Sequence, residues 1–321
     1  MDLIYTNKNK EDVGILLDYA FDLAFGSGEN DFELKVDLDN HCCSDGCLVY
    51  IEGTEYGGII DKVKIVTKSS EITYKGRTWH GILASKVIEP DANEAYLTVS
   101  GEANAVMGML LERVGLSDLF TVSSDVSELT IKNYKMNRYV DAYTGIKKML
   151  ASADGKLQIT FQNGKVVLSA LPLVDYSTDE EYDNDQVEME IEKGYAPVNH
   201  LICLGSGQLA DRLVLHLYTD EQGKISTTQS LIGMDEVTDV LDYPNCESAE
   251  ELEAEGKERL KASASSDSVK MSFGADDNTY DIGDIVGARE IITGIAVAKA
   301  ITKKIVTINK GKISIQYKVG E

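Results

Sequence analysis

The chain is short of basic residues, of long apolar runs, of paired cysteines and of histidine, and each shortage excludes a class of function. Against 54 acidic residues stand only 31 basic ones, a formal net charge of −23. Such a field repels phosphate backbones and excludes specific nucleic-acid binding as a main activity. It suits the wall of a channel through which DNA slides without sticking, or serves solubility alone. The longest nearly apolar stretch, Ile291 to Ile301, is interrupted by Thr293 and Lys299. It falls well short of the roughly 18 residues of a membrane-spanning helix, so no membrane insertion is expected. Met1 to Lys8 lacks a basic region leading into an apolar core, which reads as no signal peptide and as assembly in a cytoplasm. Five cysteines (Cys42, Cys43, Cys47, Cys203, Cys246) form no even framework, as free thiols in a reducing compartment would not.

What remains is an ordinary globular composition, 43% hydrophobic and 26% charged, in 321 residues that suit two or three domains. Odd positions from Val13 to Phe25 are all apolar, a strand period, although a helical stripe also runs through Val13, Leu16, Leu17, Ala20, Phe21 and Ala24. Phe32, Leu34, Val36 and Leu38 alternate with Asp31, Glu33, Lys35 and Asp37, a strand with one wet face. Strands are predicted near 47–52, 58–66, 71–76 and 79–88, closed by Pro90-Asp91. The middle changes character. Ser100 to Val114 and Asp141 to Ala153 carry helical stripes ending at Gly115 and Gly155, and a hairpin turns on Asn163-Gly164. The acidic run Asp179 to Asp185 reads as an exposed connection. Past Pro197 strands return at 198–204 and 212–218, and 225–247 looks irregular. Ser248-Ala249-Glu250-Glu251 is a capping box opening a helix to about Ser263, and strands near 269–273, 284–287, 291–308 and 312–319 finish the chain. No repeat at a solenoid period is present.

Candidate chemistry is thin. His41, Cys42, Cys43 and Cys47 crowd one loop, whereas tetrahedral zinc takes ligand pairs from two separate turns, so plain thiols are the better reading. Gly205-Ser206-Gly207 mimics a dinucleotide fingerprint, but β-rich Arg212 to Tyr218 follows where a helix would be needed, so a hairpin turn is read instead. His41, His80, His200 and His216 are scattered outside any His-Glu-x-x-His or nucleophile-elbow context. Asp276-Asp277 and Asp183 with Asp185 lack calcium-loop spacing. Trp79 reads as a core anchor and Asp284 as a turn acceptor. No catalytic, metal or cofactor residue is assigned, and no enzyme is expected.

Two β stretches stand out at opposite ends of the chain. One runs from Gly57-Gly58-Ile59-Ile60 through Gly76-Arg77-Thr78-Trp79 and Gly81-Ile82-Leu83. The other opens at Tyr280-Asp281-Ile282-Gly283-Asp284. Together with Val198-Asn199-His200-Leu201-Ile202, Gly205 and Arg212, their ordered set resembles the siphovirus tail-hub family of tailed phages and prophages, related to the central baseplate hub of contractile tails. The resemblance implies an α+β, mainly β chain: two small tail-tube-like β-barrel domains, 1–92 and 191–321, flanking an α+β domain, 93–190. A helical insertion falls near 248–263. It also implies a structural virion-tail protein: a homotrimer joining a hexameric tail tube to a three-fold tip around a DNA channel. Its partners would be tail tube, distal tail or baseplate, tape measure, and spike or fibre proteins. The rival readings are a tail-associated cell-wall hydrolase and a receptor- or carbohydrate-binding tail protein.

Overall fold

The computed structural model describes residues 2–178, 181–183, 185, 187–194, 197–264, 268–274 and 280–320. At 45% strand against 17% helix it is mainly β. It divides into two compact units. One comprises Met1–Met189, Lys270–Arg289 and Ala298–Glu321; the other comprises Glu190–Val269 and Glu290–Val297.

The first unit opens with β1 (Leu3–Thr6), β2 (Asp12–Leu16), β3 (Ala20–Gly26), β4 (Asp31–Asp37), β5 (Leu48–Tyr50), β6 (Gly57–Val66) and β7 (Glu71–Thr78). The single alternation from Val13 to Phe25 is in fact two strands. Val13, Ile15 and Leu17 stay exposed on and just past β2, while Tyr19, Phe21, Leu23 and Phe25 are buried in and before β3. The connection at 17–19 keeps the parity of the pattern, so periodicity alone cannot reveal the break. The strand predicted over 79–88 is a correction too. Residues Trp79–Ala84 form a helix, α1, capped by the Thr78 hydroxyl, which accepts the Gly81 N–H at 3.3 Å. A Cβ on Gly81 would sit 2.1 Å from the Asn30 carbonyl oxygen, so only glycine lets α1 lie this close to the β3–β4 connection.

Helices α2 (Ala103–Arg113) and α3 (Ala142–Ala151) start on side-chain caps. Glu102 accepts from Asn104 and Ala105 N–H, and Asp141 accepts from Thr144 N–H at 2.9 Å. The hairpin of β8 (Gly155–Gln162) and β9 (Lys165–Pro172) turns on Asn163 and Gly164 at φ 53° and 74°, the left-handed pair a tight hairpin requires. Trp79 packs flat on Phe161 of β8 at 5.2 Å between ring centres, and Met107, Leu110, Ile146 and Leu150 close the same core.

The second unit holds β10 (His200–Leu204), β11 (Val214–Thr219) and β12 (Thr238–Asp242), in a four-stranded sheet covered on one face by α4 (Ala249–Ala264). The 225–247 stretch is therefore less irregular than its composition implies, because β12 pairs in parallel with β10. Helix α4 begins at the capping box, with the Glu251 N–H donating to the Ser248 hydroxyl at 3.3 Å.

The decisive feature lies at the C-terminus. Strands β13 (Ser268–Gly274), β14 (Ala296–Asn309) and β15 (Lys312–Val319) form an antiparallel set, and β14 pairs with β3 from Lys303↔Gly26 to Asn309↔Ala20. The order β13-β15-β14-β3-β4-β7-β6-β5-β1-β2 is one continuous sheet and, among the described residues, an open path rather than a closed ring. The two β stretches read from sequence as separate thus share one sheet. Val306 and Ile308 enter the same core as Phe21, Leu23 and Phe25. Burial of each such side chain is worth about 1.5–3 kcal/mol. Asp179, Glu180, Asn184, Asp276 and Asp277, part of the acidic readings above, lie outside the described residues.

Candidate assembly site

Alternation gives the shared sheet two faces. Phe21, Leu23, Phe32, Leu34, Tyr74 and Val306 point to the core. The opposite face of β3, β4, β6, β7, β14 and β15 carries Lys35, Lys62, Lys64, Lys75, Arg77, Lys303, Lys312 and Lys318 against Asp22, Asp31, Glu33, Asp37 and Glu71. On a chain of net charge −23 this face is not acidic. Part of its charge is cross-linked. Glu33 holds Lys35 at 2.9 Å and also Lys75, and Asp61 holds the Arg77 guanidinium at 2.8 Å. Glu33 and Asp61 are both lowered below the usual carboxylate range, by their hydrogen bonds from Lys75 and from Arg77 respectively.

Beneath the seam a lysine stands at a core position of β14. Lys304 is 3% exposed and donates to Glu55 at 2.6 Å, with the Tyr56 and Tyr317 rings about it. Burial alone would lower its pKa, but Glu55 outweighs burial and holds Lys304 charged. His80 of α1 lies beside the pair, its Nε2 3.6 Å from Glu55. Burial, with Lys304 and Lys147 adding repulsion, pushes His80 down to about 3, so it is neutral and this contact is not an ion pair. A second buried cation, Lys156 of β8, bonds both oxygens of Asp284 at 2.8 Å and Asp281 at 2.9 Å. Asp284 also accepts from the Val174 and Asp281 N–H groups. These two clusters tie residues from the C-terminal segment to the N-terminal sheet and to the α+β part of the same unit.

The sheet has open edges. The outer side of β6 pairs with β5 only over Gly57–Ile59, and Lys62–Val66 has no strand beyond it among the described residues. Val63 and Ile65 on this edge are 41% and 55% exposed. Edge strand β2 carries the exposed Val13 and Ile15, and exposed Leu17 follows just past it.

The residues singled out from sequence fall as follows. Trp79 is fully buried. Cys42, Cys43 and Cys47 are free thiols, the Cys42 and Cys43 sulfurs lying 3.3 Å apart, and His41 bonds the Tyr74 hydroxyl at 3.0 Å. Gly205 and Ser206 begin the hairpin joining β10 to β11, closed by Gly205 N–H to Leu213 O and Leu213 N–H to Ser206 O. Arg212 donates to the Gly205 carbonyl at 2.9 Å and pairs with Asp242. Asp183 accepts from the Asp185 N–H. Sequence reasoning missed that His200 and His216 meet at 2.8 Å, with Glu236 2.6 Å from His200. Counting back from the glycine hairpin would have placed them on one face, since Ile202 lies opposite His216. It also missed Lys304, whose signal was its shared parity with Val306 and Ile308. Among the described residues no group of three or more His, Cys, Asp or Glu is placed to hold a metal ion.

No protein-family model and no curated protein matches the chain. Solved structures do. A tail protein from Neisseria meningitidis MC58 aligns with TM-score 0.53 and 12% identity over 100% of this chain and 96% of its own. The prophage tail protein gp18 from Listeria monocytogenes EGD-e aligns with TM-score 0.58 and 12% identity over 99% and 94%. The 43 kDa tail protein of prophage MuSo2 from Shewanella oneidensis aligns with TM-score 0.56 and 11% identity over 99% and 98%. At such identities the likeness is one of fold, and along nearly its whole length this chain has the fold of phage and prophage tail proteins.

Proposed function

We propose that the chain is a structural tail hub, a homotrimer that joins a hexameric tail tube to a three-fold tip around a central channel. The observation that carries this reading is the β3–β14 seam. It makes two β modules, β1–β7 and β13–β15, parts of one sheet, with the α+β segment 93–190 between them in sequence. Two modules per subunit let three subunits imitate six positions, and a ring built this way closes through heterologous contacts. The open edge of β6 supplies backbone groups for such a contact. In this arrangement each module closes a barrel-like wall only in the company of its neighbours.

This mixed-charge face, where cations slightly outnumber carboxylates, is the one we assign to a DNA channel. Lys35, Lys75, Arg77 and Lys303 are held by carboxylates and so are less free to grip phosphates, and the acid excess of the chain resides elsewhere. Tail tube, distal tail or baseplate, tape measure and spike or fibre proteins are the implied partners, in a virion tail assembled in the host cytoplasm. No reaction chemistry is assigned. Light scattering across a concentration series, alone and mixed with purified tube protein, tests the reading. A trimer, or three copies per hexameric tube ring, is expected; a monomer under both conditions sinks it.

A further inference from the structure

The first unit contains a cavity of about 230 Å³ that the hub reading does not use. Its floor is buried: Tyr56, His80, Tyr143, Ile159 and Lys304 are each below a tenth exposed. One wall is the edge of β8. Phe161 gives its N–H to Thr54 O and takes the Gly53 N–H, both at 2.8 Å. By the two-residue period the N–H and C=O groups of Ile159 and Leu157 point the same way as those of Phe161, away from β9, and both residues line the cavity.

The polar groups left over there are of both kinds. The Nδ1 atom of His80 is buried without a hydrogen-bond partner. The tautomer with its proton on Nε2 faces the Glu55 carboxylate 3.6 Å away and leaves Nδ1 as an acceptor. Lys147 lies over the Tyr143 ring at 4.9 Å and has no carboxylate at ion-pair distance among the described residues. Burial holds its pKa below the ordinary lysine value. A full anion in the cavity would confront Glu55 and Asp281; a full cation would confront Lys304 and Lys147. Hydroxyl groups, which donate and accept at once, satisfy every leftover group. The volume exceeds the ~150 Å³ that accepts a benzene ring and falls below the ~300 Å³ of drug-sized pockets, so one six-membered ring fits.

We propose that this cavity binds a neutral polyhydroxyl ring, a monosaccharide, with Lys147 and the Tyr143 hydroxyl donating to it and His80 Nδ1 accepting from it. This stands apart from the oligomeric state and from the hub reading. Saturation-transfer NMR on the full chain with glucose, galactose and N-acetylglucosamine tests it, with acetate and phosphate as competing probes. At least one sugar should bind saturably in the millimolar range, and Lys147→Met and Tyr143→Phe should each weaken it roughly tenfold. Tyr143→Phe removes only a hydroxyl, so it keeps the test alive if Lys147→Met unfolds. Equal binding of a trisaccharide would assign the ring to the end of a surface glycan, and its exclusion to a free sugar. Overturning results are no saturable sugar signal, acetate or phosphate binding in its place, or sugar binding untouched by both substitutions.

Discussion

Lys304 and Glu55 meet at 2.6 Å although 249 residues separate them in sequence. The contact puts a cation from the last long strand against a carboxylate between β5 and β6, in a site where both are largely dry. Removing one partner leaves the other buried and unpaired, which costs about 3–5 kcal/mol. Glu55→Gln and Lys304→Met should each lower the urea midpoint of the first unit. The double substitution Glu55→Leu with Lys304→Met should recover most of the loss, since an apolar pair of similar volume carries no stranded charge. Purely additive losses would count against a coupled pair.

His80 makes stability depend on pH. Its pKa is depressed from 6.5 to about 3, so between those values the unfolded chain binds the proton and the folded chain does not. The contribution is fully present above about pH 6.5 and is lost as pH falls toward 3. The slope approaches about 1.4 kcal/mol per pH unit well inside that window. Urea melts from pH 7 to 4 should show this fall, and His80→Phe should flatten it.

Gly26 ends β3 at φ +114°, and a Cβ there would sit 2.2 Å from the Thr302 carbonyl oxygen. Gly28, two residues on, also has positive φ, but a Cβ there would meet nothing within 4 Å. Gly28→Ala should therefore cost only the left-handed strain, about 1 kcal/mol. Gly26→Ala must in addition push β14 away, and should cost clearly more in the same denaturation assay. Equal effects would show that the seam tolerates displacement.

Ile65, half-exposed on the free edge of β6, tests the contact between copies. Ile65→Lys should leave the melting curve of the monomer within about 0.5 kcal/mol, as surface substitutions do. It should weaken self-association, measured by sedimentation velocity, because a charge replaces the apolar contact beside an unpaired strand edge. An unchanged association constant would move the contact to another surface, with the row Val13, Ile15 and Leu17 next in line.

Much was legible in the residues themselves. The Asn163-Gly164 hairpin, the capping box at Ser248 and the stripes of α2 and α3 are local devices, and each lies where its residues demand. Six residues of α1 are too few to show a helical period, and β12 is held by β10 rather than by its own composition. The polar clusters lay hidden for a related reason: Lys304, Glu55 and His80 are unremarkable until the sheet brings them together.

By itself the sequence determined most of the elements, their order and the buried parity of strands such as β3 and β4, because backbone propensity and alternation act over a few residues. Which strand lies beside which was left to tertiary structure. The pairing of β3 with β14 is chosen by the joint burial of Phe21, Leu23, Phe25, Val306 and Ile308 and by the close approach that Gly26 permits. Such long-range contacts leave no periodic trace in either segment, and they alone turned two distant β stretches into one surface.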